Sequence, residues 1–314
     1  MIPTADSPLA RRAAIASVVT AVFLGALKAY AAWRTESVAM LASLADSLLD
    51  LVASLVTLGG VHWAAQPADR HHRFGHGKAE ALAALFQVAM IAISAFAILL
   101  RAIERLVDQR ASEQAAQGIG VSVVAIVATV ALTAYQRSVL RRTRSIAVAT
   151  DHLHYQSDVF LNLAVIAALA LDGYAGVHGA DPLFGIAIAL WLLRGAWRAA
   201  VQAINELMDR EWPEEKRRRF LAVASSGHPA LKGIHDLRTR TSGTTDFAQF
   251  HIWLAPGTTI AAAHDVTDAL EARIARDFPE VEVLIHVDPE GHVDQPGNPL
   301  VEADVSIAAQ EKHA

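Results

Sequence analysis

Long apolar blocks fill the first two-thirds of the chain and then stop near residue 205. Six of them reach the length that a bilayer core requires, about 20 mostly apolar residues. They fall near 12–33, 38–64, 80–106, 117–138, 147–171 and 182–204. The third follows FGHGKAE, and the sixth follows the turn-forming pair Asp181-Pro182. Six such blocks in a row predict a transmembrane bundle rather than a soluble all-helical core. Beyond Arg210 the pattern changes. PEEKRRRFLAVASS (213–226) starts with proline and acids, as a helix does. GIHDLRTRT and DFAQFHIWLA alternate and hold β-formers, so they predict strands. TTIAAAHDVTDALEARIARDF has helical spacing behind a threonine cap, and VEVLIHVD predicts a last strand. Helix–strand–strand–helix–strand is an α+β unit with a small sheet covered on one side. The expected organisation is a six-helix membrane domain over 1–209, a soluble α+β domain over 210–292 and a disordered polar tail over 293–314.

Basic residues in the short connections give an orientation. Arg11 and Arg12 precede the first block, and Arg70, Arg73 and Lys78 lie between the second and third. Arg137, Arg141, Arg142 and Arg144 lie between the fourth and fifth, and Arg210 and Lys216 to Arg219 follow the sixth. The opposite side holds Arg34, Arg105 and Arg110. The bias places both termini in the cytoplasm. MIPTADSPLARR lacks a short apolar core and a small-residue cleavage site, so no cleaved signal peptide is expected.

Composition narrows the chemistry. The 314 residues include no cysteine and 14 histidines. Disulfides, thiolate catalysis and Cys-based zinc sites are excluded. Any metal is held by imidazole and carboxylate. A net charge of −5 gives no reason to expect nucleic acid.

Against that background LASLADSLLDLVAS (41–54) sets Asp46 and Asp50 one turn apart inside an apolar block. A charge at the bilayer centre costs about 2.5–3.5 kcal/mol on insertion scales. No lysine or arginine is expected in the middle of any span to pair with them. In the fifth block, ATDHLHYQSDVF repeats the spacing with His154 and Asp158. Two helices, each with an i, i+4 pair of ligands, can meet around one divalent cation. Three carboxylates and one imidazole suit tetrahedral zinc, and the ion offsets two of the three negative charges. The competing reading is polar contact between helices, or pairing with a lone arginine, without a metal.

PADRHHRFGHGKAE (67–80) offers a second set, Asp69, His72 and His76, with Gly75 and Gly77 to bend the backbone around an ion. A solvated loop is the alternative. A third set lies in the soluble part: His235 and His251 on two strands, His264 on the helix, His286 and Asp288 on the last strand. His286 and Asp288 share one face of their strand, while Val283, Ile285 and Val287 share the other. His251 opposes Ala248, Phe250, Ile252 and Leu254. The histidines therefore gather on the uncovered face of the sheet, suited to a partner subunit or simply to solvent.

The DSLLD and HYQSD pairs, FGHGKAE, GIHDLRTRTSG and IHVDP together resemble the cation diffusion facilitator family, close to its bacterial zinc and ferrous-iron efflux branch. The likeness runs from about residue 10 to 290. It implies a ferredoxin-like or metallochaperone-like cytoplasmic domain and a homodimer in the inner membrane that exports divalent metal in exchange for protons. It implies that Asp46, Asp50, His154 and Asp158 form the transport site, and that Asp69, His72 and His76 form a loop site. It assigns His235, His251, His264, His286 and Asp288 to a binuclear cytoplasmic site at the dimer interface, and Lys78 and Asp209 to a charge interlock. One departure is His71, an extra imidazole beside His72, which leaves open which of the two serves.

Other readings are a membrane zinc hydrolase and a metal-sensing receptor. A catalytic zinc keeps an open position for water, whereas four ligands are offered here without a nucleophile motif. The sequence has no recognisable signalling motif and no phosphate-binding GxxxxGK[ST] loop, so transport would be secondary. One imidazole among carboxylates favours Zn2+, Cd2+ or Fe2+ over manganese and magnesium, and the lack of thiolates argues against Cu(I).

Overall fold

The computed structural model describes residues 6–35, 38–108, 119–175 and 180–292. Two compact units divide between Asn205 and Glu206. The expected tail over 293–314 and Arg110 lie outside the described residues.

The first unit is helical: α1 (Asp6–Thr35), α2 (Val38–Ala64), α3 (Ala79–Asp108), α4 (Ile119–Leu140), α5 (Ile146–Ala175) and α6 (Ala180–Leu207). Among the described residues five helices are long and apolar enough to cross a membrane, within α1, α2, α3, α4 and α6. α5 has 30 residues, ample length at 1.5 Å rise per residue. Its first half carries Asp151, His152, His154 and Asp158, which dilute its apolar character. The outward faces remain apolar: Val19, Ile93 and Val127 are more than 60% exposed. In water this would be costly. Against lipid tails it is the ordinary condition of a membrane helix.

Inside the bundle, small side chains allow close approach. Ala10, Ala13 and Ala14 of α1 meet Val61 of α2, Ala83 of α3, Val139 of α4 and Ala147 and Val148 of α5. Leu192 and Ala196 of α6 pack on Ile91 and Ala95 of α3. A side chain at Gly60 would collide with Ala83 and lie 3.1 Å from the Ala79 carbonyl, so α2 and α3 touch nearly backbone to backbone. That contact brackets the loop between them.

The second unit runs α7 (Glu214–Ser225), β1 (Gly233–Ser242), β2 (Thr245–Leu254), α8 (Ile260–Asp277) and β3 (Val281–Pro289). β1 pairs antiparallel with β2, and β2 pairs parallel with β3. A parallel pair needs a crossover, and α8 supplies it. Thr259 caps α8 by accepting from the Ala262 amide. Phe220 and Leu221 of α7 and Val266, Leu270 and Ile274 of α8 bury the sheet face formed by Ala248, Phe250, Ile252 and Leu254. Val283, Ile285 and Val287 pack against the same core. Both helices therefore lie on one face, and β-strand alternation sends His251, His286 and Asp288 to the other.

Candidate metal centres

In the first unit, α2 and α5 pack together, and Asp50 of α2 meets His154 and Asp158 of α5 at the contact. Asp50 Oδ1 lies 2.8 Å from His154 Nε2. Asp158 joins them, with one ligand atom from each residue within 4.8 Å of the others. His154 is buried, and Asp50 and Asp158 are half-buried. The sequence predicts a fourth ligand here, but Asp46 is exposed and outside this cluster. On the same stretch of α2, Lys28 of α1 reaches Ser47 Oγ at 2.7 Å and the Ser43 carbonyl at 3.3 Å. The expectation of no cation within the spans is thereby corrected: Lys28 lies in α1 and Arg194 in α6. Lys28 follows only its polar contacts to α2, which no spacing rule reveals.

The loop set assembles around Asp69. Its Oδ1 accepts from the backbone N–H of His71 at 2.8 Å and of His72 at 2.7 Å. Those two N–H groups hold the Asp69 carboxyl below the usual carboxylate range. His76 Nε2 is 3.1 Å from His72 Nδ1 and 3.4 Å from Asp69 Oδ2. Asp69, His72 and His76 form one potential ligand group, which does not include the His71 ring. Gly75 takes φ of +80°, the bend that a Cβ would strain. Gly77 does not adopt that conformation; its carbonyl accepts from the Glu80 amide instead.

On the open sheet face, His235 of β1 and His251 of β2 are register partners, as are His251 and His286 of β3. Asp288 Oδ2 lies 2.9 Å from His251 Nδ1 and 3.3 Å from His235 Nε2. These three residues form a potential ligand group. His235 is 1% exposed; Nδ1 has no hydrogen-bond partner, and Nε2 makes no well-aligned hydrogen bond despite lying 3.3 Å from Asp288. A buried imidazole in that condition is one that a bound cation would relieve. Burial, and then the neighbouring His251, push its pKa down, so it stays neutral and able to ligate. His286 stands on the rim, with Nε2 3.4 Å from Asp288 Oδ1 and its ring centroid 4.6 Å from that of His251. His264 does not join the group. It is exposed on α8, 3.7 Å from Asp268, because α8 covers the other face. It does line, with Asp288, a cavity of about 430 Å³ at the end of the sheet.

Asp236 is the neighbour that spacing missed. The β1 register slips between His235 and Arg238. A bulge there puts Asp236 at φ +48° and turns Leu237 into the core. Asp236 Oδ2 thereby comes within 3.7 Å of His251 Nε2, while Arg238 grips the same carboxylate at 3.0 and 2.9 Å. The three-residue interval between Ile234 and Leu237, where strict alternation asks for two or four, was the available signal. Lys78 belongs to the first unit; Asp209 belongs to the second and lies 3.6 Å from Arg240.

Known proteins match this arrangement. The model of the "Cation efflux transmembrane domain" matches residues 14–208, and that of the "Cation efflux protein, cytoplasmic domain" matches 212–290. The cation-efflux pump FieF of Klebsiella pneumoniae is 44% identical over 285 residues, 91% of this chain and 94% of the pump. FieF of Escherichia fergusonii is 45% identical over 281 residues, 90% and 93% of the two chains. A solved chain of the CzrB transporter in its Zn form is 37% identical, covering 28% of this chain and 99% of its own, with a TM-score of 0.24. Both family models match in order along one sequence, and a pump 44% identical extends over 91% of it, so this protein is a member of the cation diffusion facilitator, or cation efflux, family.

Proposed function

We propose that this protein exports Zn2+ from the cytoplasm across the inner membrane in exchange for protons, with Fe2+ or Cd2+ as further substrates. Efflux of divalent metal cations by a multi-pass membrane protein follows from the family membership, as does a transporter rather than an enzyme. The observation that carries the metal reading is the Asp50–His154–Asp158 cluster, which combines imidazole and carboxylate at the contact of two membrane helices. That donor set suits zinc, cadmium and ferrous iron. Asp46 completes the set as a fourth ligand once its carboxylate turns toward the ion, one turn from Asp50.

Protons enter because ligands must be deprotonated to bind metal. Each arriving cation displaces protons from the cluster, and each returning proton weakens the hold on metal. Asp69, His72 and His76 form a second, peripheral site at the loop. His235, His251, His286 and Asp288 form the cytoplasmic site of a homodimer, and His264 approaches through the shared cavity. Lys78 and Asp209 form the charge interlock. Both termini lie in the cytoplasm.

The test is zinc flux into proteoliposomes without nucleotide, under imposed pH gradients of either sign. Uptake should follow the gradient, and competition with Fe2+ and Cd2+ should rank the substrates. A flux indifferent to the gradient would make the protein a channel.

A further inference from the structure

The membrane helices bury another carboxylate that none of the ligand clusters uses. Asp151 is 1% exposed on α5, three residues before His154 and seven before Asp158, hence on one side of the helix. Its hydrogen-bond partners are neutral. Oδ2 accepts from Ser17 Oγ of α1 at 2.6 Å and from Gln136 Nε2 of α4 at 2.8 Å. Oδ1 accepts from Gln87 Nε2 of α3 at 3.3 Å. Ser17, Gln87 and Gln136 are themselves no more than 1% exposed. Among the described residues Asp151 has no ion pair. An ionised carboxylate at such a place is costly, and ionisable residues inside membranes mark ion and proton pathways.

Gln87 supplies an independent observation. Its Oε1 is buried and has no hydrogen-bond partner. In the present arrangement the amide donates through Nε2, which suits an ionised Asp151. Turned over, the amide presents Oε1 to Asp151 Oδ1, and that contact bonds only when Oδ1 carries a proton. One side chain therefore serves both protonation states with no movement beyond its own amide.

The pocket also connects to the metal cluster. Tyr155 donates to the Ser17 carbonyl at 3.4 Å, and its hydroxyl lies 2.8 Å from Ser54 Oγ, one turn from Asp50. The charged groups around Asp151 are few. On α5 they are His152, which is 3.2 Å from Gln136 Oε1, together with His154 and Asp158. On α2 they are Asp46 and Asp50. α4 contributes Arg137 beside Gln136, and α3 contributes Glu80, which is bonded to Ser145 at 2.6 Å. On α1, Arg11 and Arg12 are exposed and Lys28 is engaged with Ser47, so only Ser17 faces Asp151.

We propose that Asp151 is a proton-binding site distinct from the metal ligands. It holds a proton while the Asp50–His154–Asp158 cluster carries no metal, and releases that proton to bulk water when a divalent cation enters. The added positive charge one turn away favours the carboxylate. One O–H bond breaks, Asp151 forms no bond to the metal, and Gln87 turns its Nε2 back to the ionised oxygen. This rests on the exchange of metal for protons proposed above.

The test counts protons released per zinc bound by full-length protein in detergent, with a pH-indicator dye, for wild type, Asp151→Asn and Asp151→Glu. Asp151→Asn should bind zinc but release up to one proton fewer per chain, and Asp151→Glu should restore the count. Equal release by wild type and Asp151→Asn overturns the proposal and leaves the exchange reading intact. No release by wild type removes both. Should Asp151→Asn fail to fold, infrared difference spectra of wild type decide instead. Zinc should remove a carboxylic-acid C=O band whose frequency shifts in Gln87→Leu. A spectrum without that band, or a band indifferent to Gln87→Leu, overturns the proposal.

Discussion

Asp50 and His154 meet at 2.8 Å between two helices. Asp50→Ala removes a ligand and leaves the imidazole without its acceptor. Losing a ligand's supporting hydrogen bond typically costs 10–100-fold in affinity or activity, and losing the ligand should cost at least about 100-fold in transport. Zinc uptake by proteoliposomes checks this, with expression and helical content as folding controls. Uptake equal to wild type would take Asp50 out of the transport path.

At the scale of elements, the cytoplasmic sheet concentrates its chemistry where β1 bulges. His235 lies buried against Trp253, ring centroids 4.7 Å apart, with no well-aligned hydrogen bond at either ring nitrogen. Its pKa is depressed in the folded state, so the unfolded chain takes up the proton first as pH falls. The corresponding stability is complete above about pH 6.5, the ordinary histidine value, and is lost as pH falls through the lowered folded value. The metal-free cytoplasmic unit should unfold at lower temperature as pH drops from 7.5 toward 5.5, roughly the range of histidine titration. His235→Phe should flatten that dependence. Calorimetry over this range is the measurement, and an unfolding temperature that rises on acidification would contradict the assignment.

For the whole molecule the central matter is how metal reaches beyond one chain. His251, His286 and Asp288 stand on the sheet face opposite α7 and α8. Cations there would neutralise carboxylates and join two such faces. A ligand that binds only the docked state stabilises it by about 2.7 kcal/mol at one hundred times its Kd. Zinc should therefore tighten dimerisation of the fragment 210–292 by about 100-fold at that concentration, and His251→Ala with His286→Ala should abolish the effect. Sedimentation with and without zinc measures it. An unchanged equilibrium would leave these histidines an ordinary solvated face.

The sequence by itself determined whatever depends on period and spacing. Apolar length placed α2 to α6 within a few residues and missed only the early start of α1 at Asp6, because a membrane helix must satisfy its own backbone. The i, i+4 spacing put His154 and Asp158 on one face of α5, because helix geometry holds within a single helix. Strand alternation put His251 and Asp288 opposite the core for the same local reason. Tertiary structure decided what depends on where different elements arrive. It left Asp46 outside the cluster and His264 on the far side of the sheet. It brought Asp236 to His251 through a bulge that strict alternation does not contain. It joined Ser17, Gln87, Gln136 and Asp151, one from each of four helices, into one buried pocket. Spacing along the chain encodes a face, but a contact between side chains on separate elements exists only once packing has set their approach.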